Sequence, residues 1–199
     1  METLVQILYW VTTLLLVPVV VCLFGILVWS VLELGGFLRE IRERRRHAPR
    51  WSSLETGLQS GEGEAASFFD GGAYPGFLAV FASRGRGFYQ HEIHLAKLIS
   101  DLEIAAGGRL ARMSLGIRIG PMLGLMGTLI PMGPALMGLS AANLAARTET
   151  LVGAFATPVL GLLVGGICYM IALVRRRWYA SDLSRVEYVH RLLHDREAA

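Results

Sequence analysis

Arg118-Ile-Gly-Pro-Met-Leu-Gly-Leu-Met-Gly-Thr-Leu-Ile-Pro-Met-Gly-Pro134 lies within an apolar run from Leu115 to Leu139. The run is long enough to cross a bilayer as a helix, since about 20 apolar residues suffice. Its glycines recur every three or four residues, at Gly116, Gly120, Gly124 and Gly127. This spacing strips side chains from one helix face and lets a neighbouring helix approach at backbone distance.

The same run is interrupted by three prolines, Pro121, Pro131 and Pro134. Each proline removes a backbone donor, and hydrocarbon tolerates this loss only where protein or a water-lined path covers the freed carbonyl. Thr128 carries the only hydroxyl between Ser114 and Ser140. The run therefore predicts a membrane helix that is surrounded by protein.

Composition indicates an all-α integral membrane protein. The chain has 199 residues, of which 53% are hydrophobic and 18% charged, and the apolar residues fall into three blocks. The blocks are Leu4–Leu34, 115–139 and about Leu151 to Val174. The first block lacks a basic leader and a small-residue cleavage site, so we expect a retained, lipid-facing helix and not a signal peptide.

Basic residues predict the orientation of these three crossings. Eleven of the 19 lie in residues 35–113, six follow Val174 and Arg147 is alone in the loop 141–150. The positive-inside rule therefore predicts an outside N-terminus and an inside C-terminus, in a multi-pass protein of the cell inner (cytoplasmic) membrane. The predicted division is a first transmembrane helix (1–34), a cytoplasmic helical segment (35–113), a second transmembrane helix (114–140), a short external loop (141–150), a third transmembrane helix (151–174) and a cytoplasmic helical tail (175–199).

The cytoplasmic parts carry helical patterns. Ser52-Ser-Leu-Glu55 fits a capping box for a short helix, and Phe77–Ser83 predicts another. An amphipathic helix is expected over Phe88–Met113, with the apolar positions Ile93, Leu95, Leu98, Ile99, Leu102 and Ala105. The tail repeats apolar residues at Leu183, Val186, Val189 and Leu193. The membrane helices are therefore predicted to extend into a cytoplasmic helical bundle.

The basic run Arg39–Arg46 has two interpretations, a clamp that fixes topology and a binding site for anionic membrane lipids, and the clamp is favoured. A nucleic-acid partner would need a basic patch with stacking aromatics, which the sequence does not show.

Enzyme chemistry finds no support in the sequence. The pairs His91/His94 and His190/His194 have helix-face spacing, but a solvated or packed face is favoured over a metal site. No glycine loop precedes Lys97, the only lysine. Cys22 and Cys168 form no motif, so we expect reduced packing residues. We therefore predict no catalytic, cofactor-binding or metal-binding residue.

The third crossing repeats the features of the second. It has a small-residue face, one proline (Pro158) and one hydroxyl (Thr157). At about 1.5 Å per residue, Thr157 and Thr128 lie roughly 9 and 16 Å below the outer boundary. Taken alone, each threonine is expected to bond back to its own helix. No Asp, Glu, Lys or His lies in the interior of any crossing, so a titrating carboxylate for ion transport would have to come from another subunit.

Two motifs resemble a known family. Pro121-Met-Leu-Gly-Leu-Met-Gly-Thr128 resembles the P-x-x-G-L-x-G-T signature of the second helix of ExbB and TolQ, in the proton-channel family that also includes MotA. Ala154-Phe-Ala-Thr157 followed by Gly161-Leu is similar to that family's A-x-x-A-T-x-x-G-L pattern, with one extra residue before the glycine. Val152 stands in place of the ExbB-type glutamate. The resemblance covers about residues 95–178, and the three-helix layout matches ExbB and TolQ best.

The resemblance implies a homopentamer around two copies of a single-helix partner of the ExbD, TolR or MotB kind. The partner's membrane aspartate would carry a proton or sodium ion along a path lined by Thr128 and Thr157, and ion flow would drive mechanical work. Helix packing and pore lining would then fall to Pro121, Gly124, Gly127, Pro158 and Gly161. The alternative is a non-conducting membrane scaffold that recruits a partner through its cytoplasmic bundle.

Overall fold

The structure, a computed structural model, describes residues 2–59, 68–69, 74–137 and 144–195. Most of these residues are helical, and no strand occurs among them. The α-helices are α1 (Glu2–Gln59), α2 (Gly76–Gly85), α3 (Glu92–Met137) and α4 (Leu144–Asp195). The predicted all-α fold is therefore confirmed for the described part of the chain.

Three of the helices are long and apolar enough to cross a membrane. They contain the stretches Leu14–His47, Glu92–Met132 and Phe155–His194, of 34, 41 and 40 residues. About 20 residues suffice for one crossing. The structure thus supports a multi-pass membrane protein with three spanning helices, while the direction of each crossing stays a prediction.

The chain divides into two compact units. The first unit contains Met1–Leu34 and Arg112–Ala172, and the second unit contains Gly35–Ala111 and Leu173–Ala199. Helices α1, α3 and α4 contribute residues to both units, whereas α2 belongs to the second.

The first unit keeps its bulky apolar side chains on the outside. On α1 the exposed ones include Leu14, Val17, Val21, Phe24 and Val28. Its interior instead contains glycines and modest side chains, such as Leu23, Val164 and Ile171. A soluble domain rarely exposes so large an apolar surface, so this pattern is that of a unit solvated by lipid or by other membrane helices.

The second unit is built around a cluster of aromatic and aliphatic side chains from all four helices. α1 contributes Trp51 and Leu58, and α4 contributes Tyr179, Val186 and Val189. The remaining members with almost no exposure include Phe68, Phe69, Phe77, Leu78, Phe81 and Leu95. The Phe68 ring stacks on that of Tyr74 with 4.5 Å between centroids and meets Trp51 edge-on at 6.4 Å. Ring contacts of this kind add specific geometry to the burial of area.

Two helical predictions for the second unit were wrong in detail. No new helix begins at Ser52, because α1 runs on to Gln59 and the Ser52 hydroxyl donates to the carbonyl of Pro49 at 2.7 Å. Burial of Trp51 against the aromatic cluster favours this continuation. Ile93 is 82% exposed and Ala105 is also exposed. The buried positions of α3 are Leu95, Leu98, Leu102 and Ala106.

Other predictions for the second unit are confirmed. The short helix expected over Phe77–Ser83 is α2. The apolar stripe of the tail packs as expected, with Val186 and Val189 buried and Leu183 and Leu193 partly buried against the same cluster.

A chain of charges connects α1 with α4 in the second unit. Glu40 lies between two arginines, with Arg44 Nε 3.4 Å from Oε1 and Arg175 Nε 3.0 Å from Oε2. Arg44 also binds Asp182 through both of its terminal nitrogens. The Asp182 carboxylate accepts a further bond from the backbone N–H of Phe77, at 3.2 Å. One buried carboxylate thus connects α1, α4 and the start of α2.

Gly76 makes the last of these contacts possible. Its φ is +58°, a backbone conformation that favours glycine. A Cβ atom at this position would also collide with the side chains of Asp182 and Arg44. Glycine is therefore required here both by conformation and by space.

Candidate functional site

The glycine stripe of α3 packs directly on α4 within the first unit. A Cβ atom on Gly124 would lie 2.9 Å from the Cα of Pro158 and 3.0 Å from the carbonyl oxygen of Thr157. A Cβ atom on Gly120 would lie 2.8 Å from the carbonyl oxygen of Gly161. Such distances leave no room for a side chain against backbone atoms. The neighbouring helix that the stripe predicts is therefore α4 of the same chain.

Pro121 shows how α4 covers a carbonyl that a proline deprives of its helical donor. The proline cannot donate to the carbonyl of Ile117, one turn earlier in α3. That carbonyl oxygen lies 3.4 Å from the position of a Cβ atom on Gly165, and the Pro121 ring lies against the same glycine, with Cγ at 3.1 Å. Gly165 thus lets α4 cover the freed carbonyl, as the sequence predicts for a proline within a bilayer.

Thr157 lies at the contact between the two helices. Its hydroxyl donates to the carbonyl of Gly124 on α3, at 3.3 Å, instead of bonding only within α4. A Cβ atom on Gly127 would lie 2.7 Å from the Thr157 Oγ1 and 2.8 Å from its Cβ. Thr157 therefore fills the space that Gly124 and Gly127 leave open, and its hydroxyl makes a hydrogen bond between the two helices.

Thr128 behaves differently. Its hydroxyl donates to the carbonyl of Leu125 in its own helix, at 2.8 Å, as expected for a threonine within a membrane helix. Its side chain is half-buried, like that of Thr157. Because Thr157 packs on Gly127, the two hydroxyl-bearing residues lie at neighbouring levels of the helix pair.

The surroundings of these threonines carry no charge. Residues 119–132 of α3 and 155–174 of α4 contain no Asp, Glu, Lys, Arg or His. Arg118 is the first charge beyond this zone on α3, and it is exposed among the apolar side chains of Leu115 and Met122. Among the described residues no group of three or more His, Cys, Asp or Glu could hold a metal ion.

The structure brings together most of the residues that the sequence singles out. Gly124, Gly127, Thr157, Pro158 and Gly161 form one packed contact, and Pro121 lies beside it on Gly165. The side chains of Pro134 and Val152 lie outside the described residues. Whether any of these residues lines a pore stays a prediction, since their observed contacts are between helices of one chain.

One contact of this site was missed at the sequence level. A Cβ atom on Gly116 would lie 2.5 Å from the Cys168 sulfur and 3.0 Å from the Trp29 ring, so α1, α3 and α4 meet there. The sequence did contain the signal, because Gly116 begins the glycine stripe of α3, and Cys168 follows Gly161 by seven residues and Gly165 by three, which places it on the same face of α4.

No protein-family model, curated protein or solved structure matches this chain. The functional assignment therefore rests on the motifs and on the contacts of the α3–α4 pair.

Proposed function

We propose that this chain is an ion-channel and stator subunit of a motor like those of ExbB, TolQ and MotA. In this proposal copies of the chain form a homopentamer in the cell inner membrane, around a single-helix partner of the ExbD, TolR or MotB kind. The partner supplies a membrane aspartate, and flow of protons or sodium ions through the assembly drives mechanical work. The chain itself is not an enzyme and needs no cofactor.

The observation that carries the proposal is the uncharged α3–α4 contact at Thr157, with a second hydroxyl, that of Thr128, on the residue next to this contact. Thr157 packs on Gly127, the residue before Thr128, and no charged residue occurs in 119–132 or 155–174. A plain packing contact needs glycines but does not need hydroxyls at adjacent levels on both helices. The match of Pro121–Thr128 to the family signature supports the same interpretation.

The residues suggest a division of labour between this chain and its partner. An ionised carboxylate is costly in an apolar environment, whereas a protonated one is neutral and can donate a hydrogen bond. The Thr128 hydroxyl donates to Leu125, and its oxygen has lone pairs that can accept a bond from a protonated acid. A wall with hydroxyls but no charges would therefore let the acid pass without trapping it in an ion pair.

The orientation predicted from the basic residues supports this mechanism. With the N-terminus outside and the C-terminus inside, both threonines lie in the outer half of the bilayer. The second unit would then lie in the cytoplasm as a helical bundle.

Ion flux in reconstituted vesicles tests the proposal. The chain is expressed with the product of a neighbouring reading frame that encodes one membrane helix with an aspartate, and proton and sodium uptake are measured under an imposed gradient. Flux should require the partner's aspartate and should be lost in Thr128→Val and Thr157→Val. Thr157→Ser is the matched control, because it keeps the hydroxyl that reaches Gly124.

Assembly is measured on the same samples by electron microscopy. A ring with an inner helix, together with partner-dependent flux, supports the motor. Unchanged flux in both valine variants, or a particle without an inner lumen, overturns it. A stable complex that conducts nothing would leave the membrane scaffold as the better description.

A further inference from the structure

The second unit turns a group of arginines outward at one level of the fold. Six exposed arginines form what we call the arginine belt: Arg39, Arg42, Arg45 and Arg46 on α1, and Arg176 and Arg177 on α4. The contacts between the two helices set this level. The rings of Phe37 and Trp178 stack with 5.5 Å between centroids, and Arg175 pairs with Glu40.

The carboxylates of the same region are mostly turned inward. Glu40 is held between Arg44 and Arg175, and Asp182 is held by Arg44. Only Glu43 lies on the outside, where it pairs with Arg39 at 3.0 Å. Residues 35–46 and 173–182 contain no other acidic residue. The outer surface that α1 and α4 form at this level therefore carries six positive charges against one negative charge.

The simplest role for these arginines would be to stabilise the fold through ion pairs, but other arginines already fill that role. Arg44 and Arg175 already make the ion pairs that hold α1 to α4. Arg42, Arg45, Arg46, Arg176 and Arg177 take part in no ion pair within the described part of the chain. Their excess charge is not needed for the fold of the second unit, so it is available for a ligand.

The position of the belt in the sequence indicates the chemistry of that ligand. The apolar stretch that begins at Leu14 leads into the arginines of α1, and the stretch that begins at Phe155 leads into those of α4. From Arg39 to Arg46 the helix rises about 10 Å. The headgroup layer on each side of a bilayer is roughly 5–8 Å thick. In a bilayer spanned by these apolar stretches, the arginines would therefore lie at a depth similar to that of the lipid phosphates.

We propose that the arginine belt is a binding site for the phosphate groups of anionic phospholipids. A guanidinium group binds phosphate through two parallel hydrogen bonds, which a hydrated ammonium does less well, and the belt contains arginine alone. The basic run on α1 was interpreted from sequence as a topology clamp. Arginines of α4 at the same level and the inward pairing of nearby carboxylates favour a site made by two helices. This inference does not depend on the proposed motor function.

Lipid retention by the purified protein tests the proposal. The protein in neutral detergent is mixed with equal amounts of phosphatidylglycerol and phosphatidylcholine of matched chains, and bound lipids are counted by native mass spectrometry. Wild type should retain phosphatidylglycerol preferentially, and added salt should reduce the preference. Removing one exposed charge near an anionic surface should lower retention about fivefold.

The variants separate the belt from charge in general. Arg42→Gln/Arg176→Gln takes one arginine from each helix and should lose most of the preference, whereas Arg42→Lys/Arg176→Lys should retain part of it. Arg84→Gln/Arg191→Gln is the control, because it removes two exposed arginines outside the belt. Equal retention of both lipids by wild type, or equal losses in the belt and control variants, overturns the proposal. So does a phosphatidylglycerol preference that Arg42→Gln/Arg176→Gln leaves unchanged, which would point to an acidic protein partner for the belt.

Discussion

Arg44 and Asp182 meet through two parallel hydrogen bonds, with Nη1 3.0 Å from Oδ1 and Nη2 2.7 Å from Oδ2. The side chains are 12% and 1% exposed. They are 138 residues apart in sequence, so this ion pair is a tertiary contact that joins α1 to α4. The same carboxylate accepts a hydrogen bond from the N–H of Phe77 in the first turn of α2, so it contacts three helices.

Removal of the Asp182 charge should destabilise the second unit strongly. Asp182→Asn leaves Arg44 buried with only the longer bond to Glu40, and breaking a buried ion pair typically costs about 3–5 kcal/mol. Thermal unfolding in detergent, followed by circular dichroism, measures the change. Glu43→Gln is the control, since it breaks an exposed pair and should cost less than about 1 kcal/mol. Similar losses in the two variants would contradict the assignment of Asp182 as an anchor.

Substitution of Gly124 by alanine should separate α3 from α4. The new methyl group would lie 2.9 Å from the Pro158 Cα, a backbone atom that cannot move without shifting the helix. Overpacking of this kind costs about 1–3 kcal/mol. Gly166→Ala on α4 is the matched control, because a Cβ atom there has no neighbour within 4 Å. The thermal stability of both variants in detergent decides the question, and a Gly124→Ala protein as stable as Gly166→Ala would rule out close packing.

The far end of α4 should be sensitive to acid. Burial, followed by the charge of His194, lowers the pKa of His190, while Glu92 of α3 and Glu187 of α4 oppose this effect. His190 lies beyond the third predicted crossing. Because its pKa is lower in the folded chain, the unfolded chain binds more protons in acid. Stability from this group is therefore complete above the ordinary histidine pKa of about 6.5 and is lost as the pH falls below it.

Thermal unfolding about one pH unit above and below 6.5 measures this dependence. His190→Gln should flatten the pH profile, because the titrating group is gone. His91→Gln, which removes an exposed histidine, is the comparison. If both variants keep the wild-type profile, another group is responsible for the acid sensitivity.

The predicted orientation can be checked with reporter fusions. A fluorescent protein at the C-terminus should fluoresce, because the tail 175–199 is expected inside the cell. Alkaline phosphatase joined after residue 145 should be active, because the loop 141–150 is expected outside. The reverse pattern would mean that the distribution of the 19 basic residues does not set the topology.

Periodicity predicted the helices of this chain better than it predicted their partners. Glycine spacing in α3 and small residues in α4 were sufficient to expect two smooth faces, and the Gly120–Gly161 contact joins those faces. The Thr157 bond to Gly124 could not be predicted, because it depends on the rotation of α4 against α3. Helix propensity and periodicity describe one helix at a time, so they do not determine how two helices are rotated against each other.

Asp182 illustrates a signal that sequence reasoning overlooked. It lies three residues after Tyr179 and four before Val186, on the buried stripe of α4. A carboxylate at such a position requires a buried cation, because an unpaired one would be too costly. Helical periodicity also explains why Ile93 was wrongly predicted to be buried. Ile93 precedes the buried Leu95 by two residues, and side chains two residues apart point to nearly opposite faces of a helix.

Gly120, Gly124 and Gly127 of α3 are covered by α4 of the same chain, so any other neighbour must contact the rest of the α3 surface. The remaining surface of the helix bears long, bendable side chains: Met122, Leu125, Met126, Leu129 and Met132. Methionine has three rotatable bonds and adapts its shape to a moving contact. A polypeptide that moves along this surface would contact flexible side chains and not a close-packed backbone. It could therefore change register without separating two tightly packed helices.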